Sequence, residues 1–340
     1  MDPAINLTKR RRAASLLAHR EVKLPFNEYV NMEIGQLGYD CVVCVKQVPD
    51  TSNVTGEAMK DDGTVNRSAL PAIFNPEDLH ALETALEVRD RCGGTVTVVT
   101  MGPPAACEVL RECLYRGADR GVLITDRRAA ASDTLATSYI LSQAIKTVGK
   151  YDFVFCGRQA IDGDTAQVGP QIAEKLGIPQ ITYFERFEEL DGRTLRARRN
   201  VGNGWEVLEV RLPALITVLD TANEPRPAAA RRVMQYKRSR AEAEIGRDVA
   251  VALADANDGQ KEAESARRLE QLKMKKLLLD QWDLDDIQAD LAWCGMSGSP
   301  TKVHRVQSIV LTKEGFTEVP PTDEGVRNMI HELIEDRTLG

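Results

Sequence analysis

The chain has 340 residues, of which 43% are hydrophobic, and its 44 basic and 51 acidic side chains give a formal net charge of -7. This length and composition allow a fully buried core and exclude an intrinsically disordered protein, so we expect one large domain with appendages, or two domains. The acidic balance argues against nucleic acid as the main partner, because binding phosphates needs a concentrated basic surface. No apolar run approaches the roughly 18 residues that span a bilayer, which predicts a protein with no transmembrane segment.

An N-terminal extension, residues 1–38, precedes the first strand-like pattern. Within it, residues 1–23 carry six basic side chains against two acidic ones. We interpret the extension as a basic, solvated arm that is partly helical. An acidic partner surface and an organelle transit peptide stay open as alternatives.

The seven cysteines are scattered rather than arranged in a disulfide framework, which favours a reducing compartment and predicts a cytoplasmic protein. Cys41 and Cys44 have CxxC spacing, but they lie in a strand-like run, where alternation sends their side chains to opposite faces. We therefore predict no metal site there.

From Tyr39 onward, strand-like and helix-like patterns alternate, which is typical of a parallel sheet covered by helices on both faces. The polar stretch 50–66 is predicted to be a small hairpin or a loop. The sequence predicts strands over 39–48, 94–100, 121–125 and 151–156, and helices over 75–91, 105–115 and 132–148.

The loop over residues 157–170, GRQAIDGDTAQVGP, carries the strongest signal in the chain. It follows a predicted buried strand and leads into a helix predicted over 171–176. Such a loop lies at the carboxyl end of a strand, where glycines allow close backbone approach and a helix N-terminus offers free N–H groups to a phosphate. The alternative is an ordinary strand-to-helix turn in which Asp162, Asp164 and Thr165 only cap the helix.

Beyond this loop the pattern changes from crossover units to hairpins. Strands are predicted over 181–187, 194–200 and 206–211, and an apolar strand over 214–218 is expected to rejoin the sheet. We divide the chain into the extension 1–38, an α/β domain over 39–222, a loop and helical arm over 223–281, and a tail over 282–340. The tail is predicted to contain a strand over 304–312 and a helix that begins at residue 322 or 323 and ends at 337.

Three loops should meet at one edge of the sheet, after the first, second and fourth strands: residues 46–49, 100–102 and 157–170. Open α/β sheets bind ligands at this edge. The chain has no GxxxxGK[ST] motif, and no GxGxxG follows the first strand, which disfavours a P-loop NTPase and an ordinary dinucleotide-binding domain.

The motifs together resemble the β subunit of electron-transfer flavoproteins. The resemblance runs from residue 40 to about 234 and resumes from 283 to 305. It rests on CVKQVPDT (44–51), NPED (75–78), the 157–170 loop, LPALIT (212–217), NEPR (223–226) and GSPT (298–301). It implies a parallel-sheet, adenine-nucleotide-binding domain of the Rossmann-like, HUP type, with a β-hairpin addition and an extended C-terminal arm that packs on an α subunit.

The resemblance also implies which residues hold the nucleotide. They are Cys44, Lys46, Asn75, Pro76, Asp78, Met101, Gly157, Arg158, Gln159, Asp162, Gly163, Asp164, Thr165, Ala166, Gln167, Val168 and Gly169. The backbone amides of residues 163–169 are expected to contact phosphate. We expect Asp162 and Asp164 to shape the loop or bind ribose, because carboxylates facing a phosphate would repel it.

Within the family, the loop resembles that of the electron-bifurcating members. These hold FAD where the simple members hold AMP. Gly163 stands where simple members have a carboxylate, and Arg158 can offer a fork of donors to a phosphate or a flavin. The bifurcating form implies NADH as the hydride donor, ferredoxin or flavodoxin as the low-potential acceptor, and a high-potential dehydrogenase reached through the α-subunit FAD. No catalytic side chain is expected, since the flavin carries the chemistry.

The partner-docking segment departs from the family pattern. By the resemblance, it comprises Asn223, Glu224, Pro225, Arg226, Ala230 and Met234, and Ala230 replaces the leucine that anchors an acyl-CoA dehydrogenase. An acyl-CoA dehydrogenase-like partner or a different dehydrogenase therefore both stay open. Two further hypotheses also stay open: a simple electron carrier with structural AMP, and a non-redox adenine-nucleotide sensor on the same fold.

Overall fold

The structure, a computed structural model, describes residues 38–50, 70–301 and 318–335. The described residues form two compact units, 38–50 with 70–301 in one and 318–335 in the other. The N-terminal extension up to residue 37, most of the stretch 50–66 and the predicted strand 304–312 lie outside the described residues. In the part of the chain that is described, no helix is both long and apolar enough to cross a bilayer.

The larger unit alternates strands and helices as the sequence predicts. Its strands are β1 (Cys41–Cys44), β2 (Gln47–Pro49), β3 (Ala72–Phe74), β4 (Val96–Met101), β5 (Arg120–Ile124), β6 (Phe153–Gly157), β7 (Gln180–Asp191), β8 (Thr194–Asn200), β9 (Trp205–Arg211), β10 (Ala214–Val218) and β11 (Asp280–Trp282). Its helices are α1 (Pro76–Cys92), α2 (Cys107–Arg116), α3 (Thr134–Val148), α4 (Val168–Leu176), α5 (Ala230–Tyr236), α6 (Glu242–Ala252) and α7 (Asp258–Met274).

Nine of these strands form one sheet in the order β11-β5-β4-β1-β6-β10-β7-β8-β9. All neighbours from β11 to β7 are parallel, and β7, β8 and β9 pair antiparallel. The predicted α/β fold with a parallel sheet is confirmed. The expected return of strand 214–218 is also confirmed, because β10 lies between β6 and β7.

Apolar side chains cover both faces of the sheet, which explains why its central strands are hydrophobic throughout. On one face Val43, Phe153 and Phe155 pack with residues of α1 and α2. On the other face Val42 and Val154 pack with residues of α3 and α4. Cys41 belongs to the first cluster and Cys44 to the second, so the expected separation of these two thiols is confirmed.

The segment 223–281 belongs to the larger unit rather than standing apart from it. Helix α6 buries Ile245 and Val249, and its Glu244 forms an ion pair with Arg111 of α2 at 3.0 Å. Helix α7 has no buried residue, which agrees with the exposed arm that the sequence predicts.

The first part of the predicted tail packs on this chain itself. Trp282 ends β11, which pairs with β5, and Leu284 and Ile287 are buried among residues of the α3 face. The apolar anchors of this stretch thus belong to the chain's own core. The packing of residues 282–340 on an α subunit stays a prediction.

The smaller unit contains one described helix, α8 (Asp323–Glu335). Residues 326, 329, 330, 333 and 334 are apolar and recur at helical spacing, which gives one apolar stripe. The predicted terminal helix is therefore confirmed over Asp323–Glu335, and its predicted end at residue 337 lies outside the described residues.

Candidate functional site

The site lies where the strand order reverses. Strand β1 pairs with β4 on one side and with β6 on the other, so the connections after β1 and β6 leave in opposite directions. In open α/β sheets such a switch point opens a crevice at the carboxyl ends of the strands. The chain places Lys46 after β1 and the 157–167 loop after β6 at this crevice.

Asn75, just before α1, connects these two loops. Its backbone N–H donates to Lys46 O at 3.0 Å. Its side-chain amide donates to Gln159 O at 2.8 Å and accepts from Ile161 N at 3.1 Å. The side chain therefore satisfies backbone groups of the loop after β6, while its main chain holds the loop after β1.

Asp78 makes a second bridge from the first turn of α1. One carboxylate oxygen accepts from Lys46 N at 2.8 Å and the other from Gly157 N at 3.1 Å. The side chain is buried. It thus fixes the ends of β1 and β6 relative to each other, which is a structural task beneath the crevice.

The environment of Asp78 predicts a pH dependence of stability. Burial raises the pKa of Asp78 to about 7, although hydrogen bonds from Asn75 and from the amides of Lys46 and Gly157 oppose the rise. An acid whose pKa is higher in the folded protein stabilises the fold at low pH, and this contribution is lost as the pH rises through the folded pKa. We expect the unfolding free energy of the wild type, relative to Asp78→Asn, to fall between about pH 4 and pH 7 by at most about 1.4 kcal/mol per pH unit.

Denaturant unfolding of both proteins over this pH range checks the expectation. Above pH 7 the difference between them should be constant. If the unfolding free energy of the wild type instead rose with pH relative to that of Asp78→Asn, the assignment would be contradicted. Such a rise would mean that the folded protein favours the ionised carboxylate.

Glu77 holds the start of the loop after β6. Its carboxylate accepts from Arg158 Nη2 at 2.7 Å and from Gln159 N at 3.0 Å. Nε of Arg158 is buried and has no partner among the described residues. One donor of the guanidinium is therefore left for a group that the described residues do not supply.

Two glycines permit the close packing that the crevice needs. A Cβ on Gly157 would lie 2.5 Å from Asp78 Oδ1 and 2.7 Å from the carbonyl carbon of Glu77. A Cβ on Gly169, in the first turn of α4, would lie 2.6 Å from Thr217 Cγ2. Only glycine allows α1 and α4 to approach the sheet this closely.

The rest of the loop is shaped by its own side chains. Lys46 Nζ pairs with Asp162 at 2.7 Å, and Gln159 Nε2 donates to Asp164 Oδ1 at 2.8 Å. Asp164 and Ala166 have φ angles of 48° and 52°, the left-handed region that non-glycine residues rarely adopt. The two carboxylates thus make contacts within the site that shape the loop, and the strained backbone marks a segment held in a specific conformation.

Helix α4 begins at Val168, three residues before the predicted start. The difference arises because Pro170 is tolerated in a first helical turn, where its missing N–H has no partner to lose. Among the described residues, no acceptor is bonded to the backbone amides of residues 165–169. Gln167 instead accepts a hydrogen bond from Thr134 through its side chain, at 2.8 Å. Free amides at the start of a helix, together with the helix dipole, are an arrangement to which anions bind in proteins.

Residues 62–255 match the family model of the electron transfer flavoprotein domain. The chain is 41% identical over 298 residues to an electron transfer flavoprotein subunit beta of Clostridium acetobutylicum, covering 88% of this chain and 99% of that protein. The chain belongs to the electron transfer flavoprotein beta subunit family.

Other members of the family are also similar. Protein FixA of Bradyrhizobium diazoefficiens is 41% identical over 272 residues, which cover 78% of this chain and 81% of that protein. The acryloyl-CoA reductase electron transfer subunit gamma of Anaerotignum propionicum is 50% identical over 196 residues, or 57% of this chain and 72% of that protein.

The structure brings most of the predicted nucleotide residues of this flavoprotein subunit to the switch point. Cys44 ends β1 and Met101 ends β4, the neighbouring strand. Pro76 opens α1. The functions of these residues toward a nucleotide stay predictions.

The predicted docking segment divides into an anchored part and an exposed part. Asn223 and Arg226 bond to α1, whereas Glu224, Ala230 and Met234 are exposed. Pro225 is half-buried between the two anchors.

Sequence reasoning missed the anchors of this segment on α1. They are His80, Glu83, Thr84 and Asp90. The sequence does contain a pattern that indicates these anchors. The four polar residues recur three, four or seven positions apart, so they share one side of a helix that is otherwise largely buried.

Proposed function

We propose that the chain is the β subunit of an electron-transfer flavoprotein heterodimer, that it holds FAD at the β1/β6 switch point, and that it takes part in electron bifurcation. The observation that carries this proposal is the row of unbonded amides at residues 165–169, set at the start of α4. Family membership supports electron transfer by a flavoprotein.

The residues present fit a nucleotide with a phosphate group. The amides of residues 165–169 and the α4 dipole would hold the phosphates. Gly157 and Gly169 keep the backbone close to the crevice. Two buried donors have no hydrogen-bond partner among the described residues: Arg158 Nε in the loop and Thr100 Oγ1 in β4. Each could satisfy an acceptor on a bound ligand.

A bound FAD would supply hydride acceptance from NADH and the transfer of single electrons onward. The chain's own contribution is to bind, orient and shield the cofactor. Asn75 and Asp78 fix the two loops, and the Lys46–Asp162 pair restrains the tip of the second loop. These bonds orient the bound cofactor, and electron transfer to a partner depends on that orientation.

Gly163 favours FAD over the AMP of simple members. Its position has open space, since a Cβ there would meet no atom within 4 Å. A carboxylate at this place would add negative charge near the phosphates. We expect Gly163→Asp to fold normally and to bind FAD about tenfold more weakly, which corresponds to about 1.4 kcal/mol of added repulsion in a partly screened site.

The matched control is Gly163→Asn, which has the same size without the charge. FAD titration of both variants after removal of nucleotide checks the expectation. Equal affinity of the two variants for FAD would contradict the charge argument and leave AMP as the better assignment.

AMP remains the second candidate ligand, because the same amides and glycines could accept one phosphate. With AMP the chain would be the β subunit of a simple electron carrier. The FAD assignment rests on the loop sequence with Gly163 and Arg158, and AMP lacks the second phosphate that the long row of amides could bind.

The partners follow from the family. We propose an α subunit that carries the second FAD, ferredoxin or flavodoxin as the low-potential acceptor, and a high-potential dehydrogenase at the docking segment. One relative is named as a subunit of acryloyl-CoA reductase and another as a subunit of a caffeyl-CoA reductase complex, which favours a CoA-ester reductase as that partner. The exposed Ala230 offers a smaller contact than leucine would.

Bifurcation is tested by coupled turnover. With NADH and flavodoxin, the purified heterodimer should reduce flavodoxin only when a high-potential acceptor is also present. Flavodoxin reduction at an unchanged rate without that acceptor would refute coupling.

All seven cysteines lie in the described residues as free thiols, which suits the cytoplasmic location that we infer.

A further inference from the structure

A buried carboxylate on α1 holds the docking segment. Glu83 accepts hydrogen bonds from Arg226 N at 2.9 Å, from Arg226 Nε at 2.9 and 3.0 Å and from Arg226 Nη2 at 2.9 Å. The Glu83 side chain is only 8% exposed. Such a buried, several-fold bonded pair is far more rigid than a surface ion pair.

Further contacts from the same side of α1 extend this hold. Asn223 Nδ2 donates to Thr84 Oγ1 at 2.8 Å and to His80 O at 3.0 Å. Arg226 Nη1 donates to Asp90 at 2.7 Å. The stretch 223–226 is thus attached to α1 at both of its ends, and the exposed residues that follow it start from a fixed point.

The first turn of the same helix holds the nucleotide loops. Asn75 and Asp78 bond to the connections after β1 and β6, and Glu77 bonds to Arg158 and Gln159. Glu83 is five residues beyond Asp78, which is about 7.5 Å along a helix axis. Helix α1 is largely buried against the sheet, so its turns do not move independently.

We propose that Glu83 is a positioning residue through which α1 couples the docking segment 223–226 to the nucleotide site. This proposal rests on the proposed function, because it takes the switch point as the nucleotide site. A nucleotide that orders the 157–167 loop also fixes the first turn of α1 through Asn75, Glu77 and Asp78. The hydrogen bonds that Glu83 accepts from Arg226 then restrain the docking segment as well. By linkage, a partner that orders the docking segment strengthens nucleotide binding by the same factor.

Hydrogen–deuterium exchange on the heterodimer, freed of nucleotide and then reloaded with FAD or with AMP, tests the coupling. In the wild type we expect FAD or AMP to slow amide exchange at residues 157–167 and, by about fivefold, at residues 223–229. In Glu83→Gln the nucleotide should still slow exchange at 157–167 but no longer at 223–229. The amide of glutamine places a donor against the donors of Arg226, which breaks the hold.

Two further variants make the test independent of whether Glu83→Gln folds well. Arg226→Gln breaks the same contact from the partly exposed side and should give the same loss of response. Glu189→Gln removes an exposed ion pair with Arg196 on the hairpin and should respond as the wild type does. A structural role alone would change exchange with and without nucleotide equally, and would leave the response intact.

The outcomes separate the two proposals. Protection at 157–167 without protection at 223–229 in the wild type would overturn the coupling and leave the nucleotide site standing. Absence of protection at 157–167 by either nucleotide would overturn the proposed site and the coupling with it. A full response in both Glu83→Gln and Arg226→Gln would refute the part assigned to Glu83.

Discussion

Replacing Gly157 with alanine is expected to destabilise the protein by about 3 kcal/mol or more and to abolish nucleotide binding. The added Cβ would lie 2.5 Å from Asp78 Oδ1 and 2.7 Å from the carbonyl carbon of Glu77. The second of these is backbone and cannot rotate away, so the first turn of α1 must move off β6. That movement breaks the bond from Gly157 N to Asp78. Denaturant unfolding and the nucleotide content of the purified variant measure both effects.

Gly163→Ala is the matched control, because it adds the same methyl group to the same loop. No atom lies within 4 Å of the added Cβ, so stability and nucleotide content should stay close to those of the wild type. Nucleotide loss of similar size in both variants would show that the loop is sensitive to any substitution. It would refute the close approach of α1 and β6 as the cause.

Replacing Arg111 with methionine is expected to destabilise the protein by about 3–5 kcal/mol, because it leaves the carboxylate of Glu244 buried without its partner. Nη1 of Arg111 also donates to Ser239 O at 3.0 Å, so the variant frees the chain that enters α6. We expect α6 and α7 to become sensitive to proteolysis well before the sheet unfolds. Limited proteolysis with mass determination of the fragments, together with denaturant unfolding, checks both expectations.

Arg267→Gln serves as the control for this prediction. Arg267 pairs with Glu264 on the exposed surface of α7. Surface pairs of this kind contribute little to stability, so no measurable change is expected. Equal proteolysis of the Arg111 and Arg267 variants would contradict the assignment of the buried pair as the anchor of the arm.

Much of the α/β domain was predictable because its signals are local. Buried β-branched runs such as Val96–Met101 indicated the parallel strands, and turn residues such as Asp191 and Gly192 indicated the hairpins. The carboxyl edge of the sheet also followed from the alternation of strands and helices, since parallel strands must end on the same side.

Other parts of the fold depend on contacts between distant residues, and the sequence pattern does not contain them. Strand β11 has only three residues, and it pairs with β5, whose sequence lies about 160 residues earlier. The ion pair of Arg111 with Glu244 joins positions 133 residues apart. The sequence therefore predicted an exposed arm, although this buried pair attaches α6 to α2.

The sequence predicted which residues lie at the candidate site, but it did not predict which groups each of them contacts. Asp78 was expected to bind the cofactor, and the structure shows both of its carboxylate oxygens bonded to the amides of Lys46 and Gly157. Periodicity and motif spacing place a residue at a crevice, but which neighbour its oxygens meet depends on the packing of α1 against β1 and β6. The anchors of the docking segment on α1 were not predicted, because their contacts also depend on how that helix packs.

The central claim is that the β1/β6 switch point holds FAD. The most direct measurement is the count of flavin and AMP released from the purified heterodimer of wild type and of Gly157→Ala. We predict two FAD per wild-type heterodimer, no AMP, and the loss of one FAD in the variant. One FAD together with one AMP in the wild type, with the AMP lost in the variant, would contradict it.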